Sequence, residues 1–354
     1  MIARKKILLY GLATVVATGC ASPFNSLQRA GPASTPSPLS IEQRVILIGD
    51  AGTAKAAGVL QVMADSVRNL PEITTVVFLG DNVYPDGIPP EDHEDRSDAE
   101  ALLRQQVVAA TTGGALAIFV PGNHDWNNEL PGLVAQAELL VQFGGGRARL
   151  SPQTPGCPGP ESIALGERVL LVTLDTSWML MEDKPAGDCA GRTSQELLQD
   201  LENMLASRGS RDVVIAAHHP LRSTGRHGGK CGFLCALQLW KVIVTDVQDM
   251  RHERNREMQN GIADAIRSAR PIIFAAGHDH SLQLFEGVEG SEAEFFVVSG
   301  RGAADKQSEI GHNESTLYAA EVPGFMIVDF LSRDRIVLRV VETETGDVYV
   351  RTLR

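Results

Sequence analysis

Val76-Val77-Phe78-Leu79-Gly80-Asp81-Asn82-Val83-Tyr84 is the stretch that decides how the rest of the chain is read. Four apolar residues, two of them β-branched, stop at a glycine and then a carboxylate. A short apolar run bounded by a turn residue reads as a buried strand. In open α/β sheets the ligand crevice lies beyond the C-terminal ends of the strands, which is where Asp81 falls. Tyr84, three residues on, can turn back toward the same point.

The pattern recurs along the chain. Arg44-Val45-Ile46-Leu47-Ile48-Gly49 runs into Asp50, and residues 54–69 between the two acids carry helical periodicity, which makes a βαβ unit. Leu116 to Pro121 runs into Gly122-Asn123-His124-Asp125. Val213 to Ala217 ends at His218-His219-Pro220, and Pro271 to Ala276 at Gly277-His278-Asp279-His280. Helices are expected over 97–112 with Ser97 as N-cap, over 130–143, over 193–207 with Thr193 and Glu196 in capping-box spacing, and over 252–268. Residues 162–174 read as two strands about a Gly166-Glu167 turn. From Phe295 onward short strands alternate with turns, as a second sheet packed on the first would require. Residues 85–98 read as an acidic, solvated loop, and 221–250 gives no clear periodicity.

The chain has 354 residues, 43% hydrophobic and 21% charged, enough for a large core. Its formal net charge of -12 disfavours nucleic acid and anionic lipid as partners, since both need clustered Lys and Arg. The N-terminus has a basic stretch, Arg4-Lys5-Lys6, then an apolar run from Ile7 to Thr18, then Gly19-Cys20. Those are the parts of an export signal, and the run is too short to span a bilayer. Ala17-Thr18-Gly19-Cys20 resembles the lipobox of bacterial lipoproteins, departing from it at Ala17, where leucine is usual. That likeness implies residues 1–20 as signal, lipidation of Cys20 as the only membrane attachment, and a site facing the periplasm or cell exterior. A plain secretory signal is the alternative. Residues 21–42 are rich in Ala, Ser and Pro and read as a flexible tether; 43–354 is left as one catalytic domain. Cys157, Cys189, Cys231 and Cys235 form an even set with no CxxC pair. Proximity in sequence favours Cys157 with Cys189 and Cys231 with Cys235. The other connectivities, and four buried thiols, stay open.

Five apolar strands ending in metal-capable residues are hard to reach by chance. Buried carboxylates and imidazoles are costly unless paired or bound to cations. Taken together, Asp50-Ala51-Gly52, Gly80-Asp81-Asn82-Val83-Tyr84, Gly122-Asn123-His124-Asp125, Ile215-Ala216-Ala217-His218 and Gly277-His278-Asp279-His280 resemble the calcineurin-like metallophosphoesterases, in the family's order. Gly52 stands where many relatives have histidine, and Tyr84 marks the purple acid phosphatase branch. The resemblance implies an α/β fold of the α+β kind: a four-layer α-β-β-α sandwich of two packed mixed sheets, with a dinuclear metal site at the strand C-terminal ends. Asp50, Tyr84 and His280 would hold the first metal, Asn123, His218 and His278 the second, with Asp81 between them. A phenolate with two carboxylates suits Fe(III); the histidine-rich set suits a divalent ion such as Zn, Fe or Mn. Two such cations clamp an in-line phosphoryl displacement, and the trivalent one acidifies a water into an attacking hydroxide.

His124 is expected as general acid for the leaving alcohol. His227 lies nine residues beyond His218, as a substrate-facing histidine does in the family. It is expected to bind phosphate or share proton transfer, with an exposed loop histidine as the bland alternative. His219 stays open between ligand and support; His218 takes the ligand role because it keeps the family's spacing. Arg222 and Arg226 are candidates for a phosphate oxygen, with solvated arginines the commoner outcome. Asp125 and Asp279 are expected to orient their neighbours, and His93, His252 and His312 to lie at the surface. The expected activity is hydrolysis of small phosphomonoesters, with a phosphodiesterase on the same metals, or a non-catalytic metal-containing lipoprotein, as alternatives. No GxSxG motif supports a serine hydrolase.

Overall fold

Side chains along a strand alternate between faces, and that alternation sorts the core in two. Val45, Leu47, Val77, Ile118, Val214 and Ala275 fall in one hydrophobic cluster; Ile46, Ile48, Val76, Phe78, Phe119, Ile215 and Phe274 fall in another. The first cluster draws only on strands and their ends, and fills the space between two sheets. The second includes helical residues such as Leu60, Leu103, Leu140, Leu201 and Ile262, and lies under the helices. Strands buried on both faces explain the near-continuous apolar runs in the sequence.

The computed structural model describes residues 27–28, 34–228, 246–305, 309–332 and 334–354. Residues 1–20, read above as an export signal ending at Cys20, and Cys231 and Cys235 lie outside the described residues. In chain order the strands are β1 (Leu27–Gln28), β2 (Ile41–Ile48), β3 (Thr74–Phe78), β4 (Leu116–Phe119), β5 (Ala148–Leu150), β6 (Glu161–Leu165), β7 (Val169–Thr173) and β8 (Asp212–Ala216). They continue with β9 (Ile273–Ala276), β10 (Leu282–Glu286), β11 (Phe295–Ser299), β12 (Thr316–Ala320), β13 (Gly324–Leu331), β14 (Ile336–Glu342) and β15 (Gly346–Thr352). The α-helices are α1 (Ala57–Arg68), α2 (Arg96–Ala110), α3 (Glu129–Gly144), α4 (Thr176–Leu180), α5 (Ser194–Ala206) and α6 (Glu253–Arg267).

One sheet has the order β15-β14-β13-β2-β3-β4-β5, the other β1-β12-β10-β11-β9-β8-β7-β6. In the first, β2 to β5 are parallel and β13 to β15 add antiparallel. In the second, β7, β8, β9 and β11 are parallel and the rest antiparallel. Helices α1 to α3 pack together, as do α5 and α6, which gives two helical layers outside the two sheets. The α/β sandwich expected from the sequence is present. Register sets the site: Ile48 pairs with Phe78, and Phe78 with Phe119, so the loops bearing Asp50, Asp81 and Asn123 leave at one level. The second sheet meets that rim directly, where Gly49 N–H donates to Ser299 O at 2.7 Å.

Several boundaries differ. The strands after Phe295 do not make one separate sheet: β11 and β12 join the second, and β13 to β15 extend the first. Helix α2 begins at Arg96 and follows Asp95, whose side chain makes no cap bond, so Ser97 is inside the helix. Within the stretch read as a tether, Leu27 and Gln28 pair with Ala319 and Tyr318, and Thr35 donates to Asp347 at 3.2 Å. Helix α5 has the expected capping box between Thr193 and Glu196. Cys157 and Cys189 form a disulfide across a sequence separation of 32. Among the described residues no helix is long and apolar enough to cross a membrane.

Candidate metal centre

Three site residues take left-handed backbone angles that side chains rarely adopt: Asp50 at φ 58°, Asp81 at φ 54° and His278 at φ 69°. Such angles cost about 1–3 kcal/mol each and concentrate at functional sites. Each sits just past its strand, where the chain must turn sharply to aim a side chain back over the sheet edge. The neighbouring glycines make room. A Cβ on Gly122 would lie 2.2 Å from Asp81 Oδ1, and one on Gly80 would lie 2.4 Å from His218 Nδ1.

Two sets of donors result. In the first, the Tyr84 hydroxyl is 2.8 Å from Asp81 Oδ2, 3.0 Å from Asp50 Oδ1 and 3.2 Å from His280 Nε2. His280 Nε2 is itself 3.3 Å from Asp50 Oδ1. In the second, His218 Nε2 is 3.0 Å from Asn123 Oδ1, 3.2 Å from His278 Nδ1 and 3.4 Å from Asp81 Oδ1. Asp81 thus turns one oxygen to each set. His218 Nδ1 gives its proton to Leu79 O at 2.8 Å, which in the neutral ring leaves Nε2 bare among other lone-pair atoms. Such a convergence is repulsive until a cation or proton enters. The donor sets therefore fit metal: carboxylates with a phenol on one side, imidazoles with an amide oxygen on the other.

The acid–base directions follow. Burial pushes the Tyr84 phenol well up, and the charges of Asp50 and Asp81 push it further. Burial would also raise Asp81, but the charges of His218 and His124 with its hydrogen bonds hold it below the ordinary carboxylate range. Burial opposes charge on His218, yet Asp81 and Asp50 raise it overall. Burial, then the neighbouring imidazoles His219, His227 and His218, push His278 well down. His219 falls to about 3, from burial first and His218 next.

Around the donors, the expected supports are in place. Asp125, fully buried, accepts from Asn82 N–H at 3.0 Å, Asn82 Nδ2 at 2.9 Å and Gly122 N–H at 2.7 Å, so it shapes both ligand loops. Asp279 accepts from His227 N–H at 3.0 Å and from the Ser223 hydroxyl. His124 rests its Nδ1 against Pro85 O, and its ring lies 4.5 Å from that of Tyr84. Its Nε2 faces the centre, 3.9 Å from Asp81 Oδ2. The His227 ring lies 4.2 Å from that of His278, so it belongs to the centre and not to open solvent. Arg222 pairs with Glu292 at 3.2 Å and lies over Phe296, while Arg226 is exposed. His93 and His312 are exposed, and His252 caps α6.

His219 has both ring nitrogens engaged, by Thr176 Oγ1 at 2.9 Å and Gln248 Oε1 at 2.6 Å. Neither partner was legible beforehand. Gln248 lies in the stretch without periodicity. Thr176 follows Leu174-Asp175, a further apolar strand ending in an acid, which was a usable signal. Asp175 itself accepts from Trp126 Nε1 and Trp178 N–H, both at 2.9 Å, and so does structural work.

The chain belongs to the calcineurin-like phosphoesterase family, whose model matches residues 43–282. Among solved structures it is similar to GAP50, described as the anchor in the inner membrane complex of Plasmodium, at 16% identity and TM-score 0.59, with 89% of each chain covered. It is also similar to the purple acid phosphatase PPD1 from yellow lupin (Lupinus luteus) seeds, at 16% identity and TM-score 0.54. That match covers 88% of this chain and 53% of the lupin chain. At these identities the likeness is one of fold. A search of curated proteins finds no match.

Proposed function

We propose that the protein is an exported hydrolase of small phosphomonoesters that works with two metal ions, a ferric ion in the Asp50, Tyr84 and His280 set and a divalent ion in the Asn123, His218 and His278 set. The observation that carries this reading is Asp81, with Oδ2 2.8 Å from Tyr84 and Oδ1 3.4 Å from His218. A single carboxylate shared between a hard anionic set and an imidazole set is what a bridged pair of unlike ions requires. When bound, the ions neutralise phosphate charge and acidify water.

The chain's own residues supply the rest. Pro85 O takes the Nδ1 proton of His124, which orients Nε2 toward the centre to hold a proton for the departing alkoxide. Asp279 holds the His227 backbone, and its imidazole beside His278 is placed to meet a phosphate oxygen. Export, with residues 1–20 as signal and Cys20 as lipid attachment, is supported by the Cys157–Cys189 disulfide, since such bonds persist in oxidising compartments. A non-catalytic role is the second reading, because a protein of similar fold is described as an anchor. The complete donor sets beside His124 favour catalysis.

Purified protein should contain two metal ions per chain, iron among them. It should release phosphate or alcohol from a nitrophenyl phosphomonoester faster than from the bis-ester. Turnover of the diester alone would make it a phosphodiesterase. Two bound ions with no turnover of either ester would leave the anchor reading.

A further inference from the structure

Three buried imidazoles crowd the second donor set, where two are needed. The donor atoms of His218, His219 and His278 all lie within 4.8 Å of one another, and nothing in their burial tells them apart. What separates them is which ring nitrogen carries the proton, since only a bare nitrogen ligates.

One residue touches both ambiguous rings. Gln248 Oε1 is 2.6 Å from His219 Nε2, and Gln248 O is 3.0 Å from His278 Nε2. Both oxygens only accept, so both Nε2 atoms carry protons. For His278 that leaves Nδ1 bare, 3.2 Å from His218 Nε2 and inside the donor set. For His219 it leaves Nδ1 bare, but that atom takes the hydroxyl proton of Thr176 at 2.9 Å. Thr176 is fixed in turn by the His219 backbone N–H at 3.1 Å. His219 has no lone pair left to offer.

Gln248 is held from behind. The fully buried Asn255, in the first turn of α6, donates to Val247 O at 3.0 Å. Gln259 donates to Met250 O at 3.0 Å, and Met250 N–H reaches back to His227 O at 3.0 Å. The segment is thus tied to a helix on one side and to the centre on the other.

We propose that Gln248 is a positioning residue that sorts these histidines, its carbonyl keeping His278 turned in as a ligand through Nδ1 and its side chain keeping His219 out. The inference rests on the metal-centre reading and adds to it a residue that touches no ion. It confines the effect to the histidine set, where both bonding partners of Gln248, His219 and His278, lie.

The test uses the full chain loaded with zinc alone, which is diamagnetic. Long-range proton–nitrogen correlation spectra should show neutral His219 protonated at Nε2, and His278 protonated at Nε2 with Nδ1 on zinc. In the same spectra, Gln248→Leu, which keeps the carbonyl on His278 and removes the acceptor on His219, should leave His278 with Nδ1 on zinc and shift His219 away from its Nε2-protonated form. Gln248→Glu, which keeps an acceptor at the same reach, should keep His219 protonated at Nε2. His219 protonated at Nδ1 in wild type, or Gln248→Leu leaving His219 in its wild-type form, overturns the inference while the metal centre stands. Wild type that binds no pair of zinc ions overturns both. Should the leucine variant not fold, the wild-type spectra alone decide.

Discussion

Tyr84→Phe removes one oxygen from the centre and little else. The ring is buried and stays packed against His124, so no cavity opens. The hydroxyl is 2.8 Å from Asp81 Oδ2 and 3.0 Å from Asp50 Oδ1, and both carboxylates are almost fully buried. Burial and those two charges hold the phenol protonated in the metal-free protein, so it donates there. One O–H makes one strong bond at a time. Losing a buried hydrogen bond to a charged acceptor costs about 1.5–3 kcal/mol. In chelator the variant should therefore melt about 2–5 °C below wild type, taking about 1.5 °C per kcal/mol for a domain of this size. Iron loading supplies the second half of the assay. A phenol pushed this far up is deprotonated only by a strong Lewis acid, so wild type with ferric iron should show a tyrosinate charge-transfer band and the variant none. Equal melting temperatures in chelator would show that the hydroxyl is not bonded between the acids. A band that survives in Tyr84→Phe would place iron elsewhere.

Further outcomes are expected. His124→Asn should lower kcat about 10²- to 10⁴-fold while both ions stay bound, as read by steady-state kinetics with metal analysis; loss of metal instead would make His124 a support of the ligand loop. Asp175, whose carboxyl burial pushes up to about 6 against hydrogen bonds from Trp178 and Trp126, binds its proton more tightly folded than unfolded. Its stabilisation is complete below about pH 4 and is lost as pH rises through about 6, so relative to Asp175→Asn wild type should lose on the order of 3 kcal/mol between pH 4 and 8. Urea melts across that range check this, and a constant difference would refute it. Cys157→Ser opens a cross-link spanning 32 residues and should cost about 2–4 kcal/mol in the same melts.

The parallel core was legible because strands buried on both faces leave unbroken apolar runs, and the turn residues after them are polar for a chemical reason. Asp50, Asp81, Asn123, His218, His278 and His280 could be grouped from sequence because each follows such a run by one to four residues. What failed was partition. The runs after Phe295 are as apolar as those before, and periodicity carries no information about which sheet a strand joins; Met326 pairs with Leu47 across most of the chain. Helix ends failed by a residue where no side chain marks them, as at Asp95, and held at Thr193, where one does. Gln248 was invisible because its work is done half through the main chain, which every residue type possesses.

The order in which the donors are spelled out along the chain bears on when an ion can be held. Asp50, Asp81, Tyr84 and Asn123 all precede α3, while His218, His278 and His280 come from the other sheet, the last of them beyond β9. Neither half of the polypeptide owns a full coordination set. During synthesis or refolding, an ion arriving early finds only fragments, and tight capture waits until both halves have closed face to face. Loading is then the final stitch of assembly and not its seed, and how firmly metal is held becomes a gauge of how truly the halves are aligned.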